Sequence, residues 1–221
     1  TNADVRSFWY SCYKSVNQCN AVIESLENND IPGLDEDLKT RFLAESLFIR
    51  AHYFYHLVQQ FGDIPMPLKP TNSVETTAHK TKVDEVWNQI VTDLEFAVEN
   101  LPETYQASEF GHITKYAAMH HLSRVYLTLK RSDDDLKKAL NYAEQVINSG
   151  KYSLVKSHAE LWDINNKNNS EVLFSVLYTQ NAELNGDGNT AHMYFCSAYS
   201  EEHPAVKRVI EYGRPWSRER S

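Results

Sequence analysis

Residues 41–67 read RFLAESLFIRAHYFYHLVQQFGDIPMP, and this stretch decides the fold. Phe42, Leu47, Ala51, Phe54, Val58 and Phe61 recur at the three- and four-residue spacing of a helix face. Gly62 then supplies a residue free to adopt a left-handed turn, and Pro65 and Pro67 prevent the helix from resuming. So many large rings on one helical stripe make a core element. The rings of Phe42, Phe54 and Phe61 are expected to pack neighbouring helices.

Working outward, the same periodicity defines four more helices. Ala3 to Glu27 carries Val5, Phe8, Trp9, Cys12, Val16, Cys19, Ile23 and Leu26 on one face, and the turn at Pro32-Gly33 stops it. The second helix runs from Asp35 to Phe61, with Leu38 also on its inner stripe. Val83 to Leu101 buries Val86, Trp87, Ile90, Leu94, Ala97 and Leu101, and ends at Pro102. Thr114 caps a fourth helix with Ala117, Ala118, His121, Leu122, Val125, Tyr126 and Leu129 inward. Ser132 caps a fifth with Leu136, Ala139, Leu140, Ala143, Val146 and Ile147, closed by Asn148-Ser149-Gly150. Small residues at Ala51, Ala117, Ala118, Ala139 and Ala143 allow close helix crossings.

Helices paired by short joints predict a mainly α, tetratricopeptide-like stack of helical hairpins, with long loops and minor β structure. Residues 1–150 form the helical-hairpin core of a single domain spanning 1–221. Residues 151–221 form a loop-rich region with one short strand at Glu171 to Tyr178. The loop from Asp63 to Lys82 is long enough to be functional, or it is a plain connector.

Composition narrows the function. The 221 residues are 42% hydrophobic, with only 7 Gly and 7 Pro, which suits a packed helical domain. A formal charge of −8 without a basic run argues against nucleic acid. No apolar run is long enough to span a bilayer. Cys12 and Cys19 stand about two helical turns apart, too far for a disulfide, and Cys196 completes a set of ordinary thiols. His52 and His56 share a helix face, but no third ligand stands at a suitable spacing, so no metal site is expected. His120 and His121 are adjacent and point apart. No nucleophile elbow, phosphate loop or dinucleotide fingerprint occurs, so neither catalysis nor a cofactor is expected. Glu45 and Arg50, charged within a buried helix, are expected to link helices.

In chain order, several of these segments resemble the motifs of the SusD/RagB family of surface glycan-binding lipoproteins from Bacteroidetes. They are Ala44-Glu45 with Leu47 and Arg50-Ala51, the cluster Tyr53-Phe54-Tyr55, and Phe61-Gly62-Asp63-Ile64-Pro65. Ile90 to Pro102, Thr114 to Leu127, Val146 to Leu154, Glu171 to Val176 and Tyr212-Gly213-Arg214-Pro215 follow. Ser46 and Leu47 stand where the family usually has Ala and a basic residue, and His112 follows Gly111 where Arg is usual. Family members are much longer, so this chain resembles their tetratricopeptide-bearing core, processed or truncated before Thr1 and after Ser221.

The resemblance implies a non-enzymatic protein at the outer-membrane surface, held by a lipid anchor absent from this chain. It implies capture of a glycan, or in some members a peptide, for a SusC-like TonB-dependent transporter. A generic tetratricopeptide-like scaffold for another protein is the alternative. Family glycan contacts come partly from loops after the strand, which here carry Asn181, Asp187, Asn189, Tyr194, Phe195 and Tyr199, with Trp216 beyond. Sugar C–H faces stack on such rings, and sugar hydroxyls bond such amides and carboxylates. The same rings could equally pack the loop onto the helices.

Overall fold

The computed structural model describes residues 3–28, 31–73, 78–106, 109, 111–163, 165–166 and 168–177. Six helices occur among them: α1 (Ala3–Glu27), α2 (Glu36–Phe61), α3 (Val83–Asn100), α4 (Lys115–Leu129), α5 (Asp133–Asn148) and the one-turn α6 (His158–Leu161). Each of the first five packs on its neighbour in sequence, the pattern of stacked helical hairpins. Residues Thr1–Ser175 form one compact unit, and of a second, Val176–Ser221, only Val176 and Leu177 are described.

The helix starts follow capping chemistry. Asp35 accepts from the N–H groups of Asp37 and Leu38, Thr114 from Ala117, and Ser132 from Asp135. The entry to α3 is different, because Lys82 has no side-chain cap. Asp63 reaches in from the end of α2 instead. Its Oδ1 accepts from Val83 N at 3.0 Å and its Oδ2 from Lys82 Nζ at 2.9 Å. The Lys82 ammonium and the Val83 amide hold the Asp63 carboxyl below the usual carboxylate range.

The Phe-Gly-Asp sequence therefore has a physical reading. Phe61 packs edge-on against Trp9 with centroids 4.7 Å apart. Gly62 adopts φ 69° and donates its N–H to Val58 O, which closes α2. Asp63 then caps the next helix. The loop that follows is pinned to α1 by three polar side chains on one face. Tyr13 donates to Pro65 O, Asn17 accepts from Thr71 N, and Asn20 donates to Pro67 O.

The core is centred on α2, α3 and α4. Phe54, Leu57, Ile90, Leu94, Leu122 and Val125 are fully enclosed, and so are the crossing alanines Ala51 and Ala118. Ser123 donates to Ala139 O at 2.8 Å, which measures how closely α4 and α5 approach.

Four expectations need correction. The inner stripe of α2 is wider than one face: Ala44, Phe48, Tyr55 and Leu57 are buried, while Leu38 is 40% exposed. A middle helix is covered by α1 on one side and α3 on the other, so a single stripe undercounts it. Val5 and Phe8 near the start of α1 are exposed, and so are Leu140 and Ile147 on α5, which packs against α4. Finally, 171–177 forms no strand, and the β pairing among the described residues is the isolated Ile64–Thr81 bridge. Residues 171–177 have β-forming composition, but no strand among the described residues pairs with them.

Candidate functional site

Two cavities open on either side of residues 172–175. The first, about 290 Å³, lies against the loop between α3 and α4. Glu45 of α2 braces two of its lining residues, Tyr105 and His112. One Glu45 oxygen accepts from Tyr105 Oη at 3.0 Å, and the carboxylate meets His112 Nδ1 at 2.9 Å. Tyr105 also donates to Ile113 O, and its ring stacks on His112 at 5.2 Å. Arg41 lies over the Tyr105 ring at 5.4 Å while bonding Glu109 at 2.8 Å. Burial and the Glu45 carboxylate raise the Tyr105 phenol well above its ordinary value, so it remains a donor at neutral pH.

The far wall of this cavity is Tyr152. Its hydroxyl lies 3.1 Å from Thr114 Oγ1, and its ring meets Tyr116 edge-on. Tyr105, Tyr152 and Phe174 thus line one opening together with Glu103, Thr104 and Gln106. That mixture suits a polyol, whose C–H faces and hydroxyls need both kinds of surface.

The second cavity, about 360 Å³, is lined by Phe48, His52, His120, His121, Arg124 and Glu171 among others. His52 lies 4.6 Å from His56 and 5.5 Å from His121, measured between ring centroids. Burial first, then neighbouring cations, lowers all four histidines, with His121 at about 3 and His52 at about 4. The four imidazoles are neutral at pH 7. The fold thus brings His121 beside the His52–His56 pair, and His120 and His121 line one cavity although they are adjacent in sequence. No group of three metal-ligating side chains among the described residues is arranged to hold an ion.

The expected helix links divide between two sites. Glu45 braces the cavity residues just described. Arg50, 5% exposed, donates from Nε and Nη2 to the two oxygens of Asp93 at 2.8 Å, and from Nη1 to Asn20 at 3.1 Å. The expected contact residues Asn181, Asp187, Asn189, Tyr194, Phe195, Tyr199 and Trp216 lie outside the described residues, as does Cys196. Sequence reasoning missed Tyr105, Tyr152, Phe174 and Arg124 as cavity residues. One signal was present: His112 stands where the resembled family usually has Arg, and it meets the Glu45 carboxylate.

The described residues thus form a tetratricopeptide-like helical stack bearing two ring-lined, polar-edged cavities. Comparison with known proteins narrows the class. A family profile described as SusD-like, "Starch-binding associating with outer membrane", matches residues 1–127. The chain belongs to the SusD/RagB family. It is 29% identical over 222 residues to SusD-like protein P2 of Formosa agariphila, covering 98% of this chain and 41% of that one. Among solved structures it is similar to a laminarin-binding SusD-like protein, at TM-score 0.74 and 27% identity, covering 86% of this chain and 43% of the other. It is also similar to one solved with xylogluco-oligosaccharide, at TM-score 0.73 and 25% identity, covering 80% and 36%. The chain spans 32% to 41% of the length of the curated relatives it matches.

Proposed function

We propose that this chain is the helical core of a cell-surface protein that captures oligosaccharide, without catalysis, for a SusC-like TonB-dependent transporter. The observation that carries the reading is the shared backbone: four fifths of the chain follows a structure solved with xylogluco-oligosaccharide. The laminarin-binding neighbour supports the same class of ligand. The rings of Tyr105, Tyr152 and Phe174 beside Glu103, Thr104 and Gln106 offer a local surface of the right chemistry.

In this reading, Tyr194, Phe195 and Tyr199 stack on sugar rings, while Asn181, Asp187 and Asn189 bond hydroxyls. Trp216 adds a further ring. The helical body, fixed by the Arg50–Asp93 link, serves as a rigid platform. Attachment to the outer membrane in this reading is through a lipid anchor, as the family resemblance implies. No helix among the described residues is long and apolar enough to cross a membrane.

A glycan array probed with the full-length protein tests the capture step, and co-purification with a TonB-dependent transporter tests the handover. Binding to a defined glycan class is expected. An empty array, together with saturable binding of a peptide or a protein, would instead support the tetratricopeptide-like scaffold or a peptide-taking member of the family.

A further inference from the structure

The second cavity holds a polar group with no partner. His121 is 4% exposed, and its Nε2 makes no hydrogen bond among the described residues. Leaving such a group unmet is costly, and His121 is among the residues that line this cavity. Arg124 is the second observation. Its guanidinium lies 5.5 Å over the Tyr55 ring, and no carboxylate among the described residues pairs with it. Glu171 is the third. It accepts from Val155 N through Oε2, and its other oxygen makes no hydrogen bond within the described residues. Phe174, 39% exposed, packs edge-on to Phe48 and presents an apolar surface to the same opening.

We propose that this cavity binds the ring of an acidic sugar, a hexuronate, with Arg124 and the imidazoles on its carboxylate, Glu171 on its hydroxyls and Phe174 against its C–H face. The inference rests on the glycan-capture reading and names a substrate class for it. The cavity volume, about 360 Å³, lies at the small end of ligand sites and suits one or two sugar units. A single water would satisfy His121 alone, but it would use neither the unpaired guanidinium nor the ring.

The charges explain why the acid is favoured over a neutral sugar. The groups facing His121 are His52 and His56 from α2, His120 and Arg124 from its own helix, and Glu171 from the segment across the cavity. Burial and mutual cationic repulsion hold the four imidazoles neutral. A bound carboxylate offsets that repulsion and favours protonation. Binding therefore takes up protons, and affinity rises as pH falls from 7 towards 5, by up to about tenfold per pH unit for one linked proton.

Imidazole resonances of the 221-residue chain, followed by NMR during titration with sodium glucuronate, glucose or sodium sulfate at pH 7 and 5.5, test this. Saturable shifts with glucuronate are expected, tighter at pH 5.5, with glucose weaker by about tenfold or more. Arg124→Met, at an exposed position, should weaken glucuronate by a similar factor without changing the thermal transition. His121→Gln should weaken it too, but Arg124→Met keeps the test valid if that buried change impairs folding. Glucose binding as well as glucuronate overturns the acidic class. Sulfate matching glucuronate, or an unaffected Arg124→Met, overturns the sugar site. A chain retained by neutral polysaccharide yet silent to glucuronate refutes this inference alone, whereas silence to every glycan refutes the capture reading as well.

Discussion

Asp93 is 2% exposed and carries a carboxylate, a costly arrangement that is met by three donors. Arg50 supplies two, and the Gln89 amide donates to Oδ1 at 2.7 Å. Burial pushes the Asp93 carboxyl up, while Arg50 and Gln89 pull it back. Because Arg50 also donates to Asn20, whose amide holds Pro67 O, one network joins α1, α2, α3 and the loop. Asp93→Ala leaves the guanidinium buried without its counter-charge and should cost about 3–5 kcal/mol in urea unfolding. The double variant Arg50→Met with Asp93→Leu should cost less than Asp93→Ala, since no buried charge is stranded. The histidines give a second prediction at this scale. His121 and His52 have folded values below the unfolded one near 6.5, so the unfolded chain binds more protons below that pH. Their contribution to stability is complete above pH 6.5 and is lost as pH falls towards 4, at up to about 1.4 kcal/mol per pH unit for a fully buried imidazole. His121→Leu should flatten the fall in unfolding midpoint between pH 7 and 5. An unchanged slope would place the acid sensitivity elsewhere.

At the scale of elements, the joint between α2 and α3 is set by three consecutive residues. Gly62 has φ 69° and ψ −122°, with open space where a Cβ would stand, so the cost of a side chain there is backbone strain alone. Gly62→Ala should destabilise by about 1–3 kcal/mol, seen as a lower thermal midpoint with the glycan contacts unaltered. Asp63→Ala should lower it further than Asp63→Asn, because the amide oxygen can still accept from Val83 N. The helices and most of their caps were legible in the sequence because capping and periodicity act over three or four residues. Thr114 and Ser132 were each in reach of the N–H groups they satisfy, whereas Asp35, read as the first residue of α2, is its cap. The Asp63 cap was not legible, since it acts across a 20-residue separation. Nor was the lack of a strand at 171–177, because pairing depends on a neighbour and not on composition.

At the scale of the molecule, the stack brings together residues that sequence spacing separates. His52 and His121 meet because α2 and α4 both face the segment that ends at Ser175, and no i, i+4 rule links them. Tyr105, His112 and Tyr152 share an opening because Glu45, a helix away, fixes the loop that carries the first two. The helical stack was thus readable from the sequence, while the cavities required three-dimensional assembly. The ring-bearing residues after position 178 were chosen on composition and family resemblance, and they supply the proposed sugar contacts. Native affinity electrophoresis through gels containing laminarin, xyloglucan or a polyuronate tests the glycan-capture claim most directly. The account predicts retardation in at least one gel. Tyr194→Ala with Tyr199→Ala should abolish it and leave the thermal transition unchanged. Migration unaffected by every polysaccharide, from a chain that saturably retains a peptide or protein partner, would contradict it.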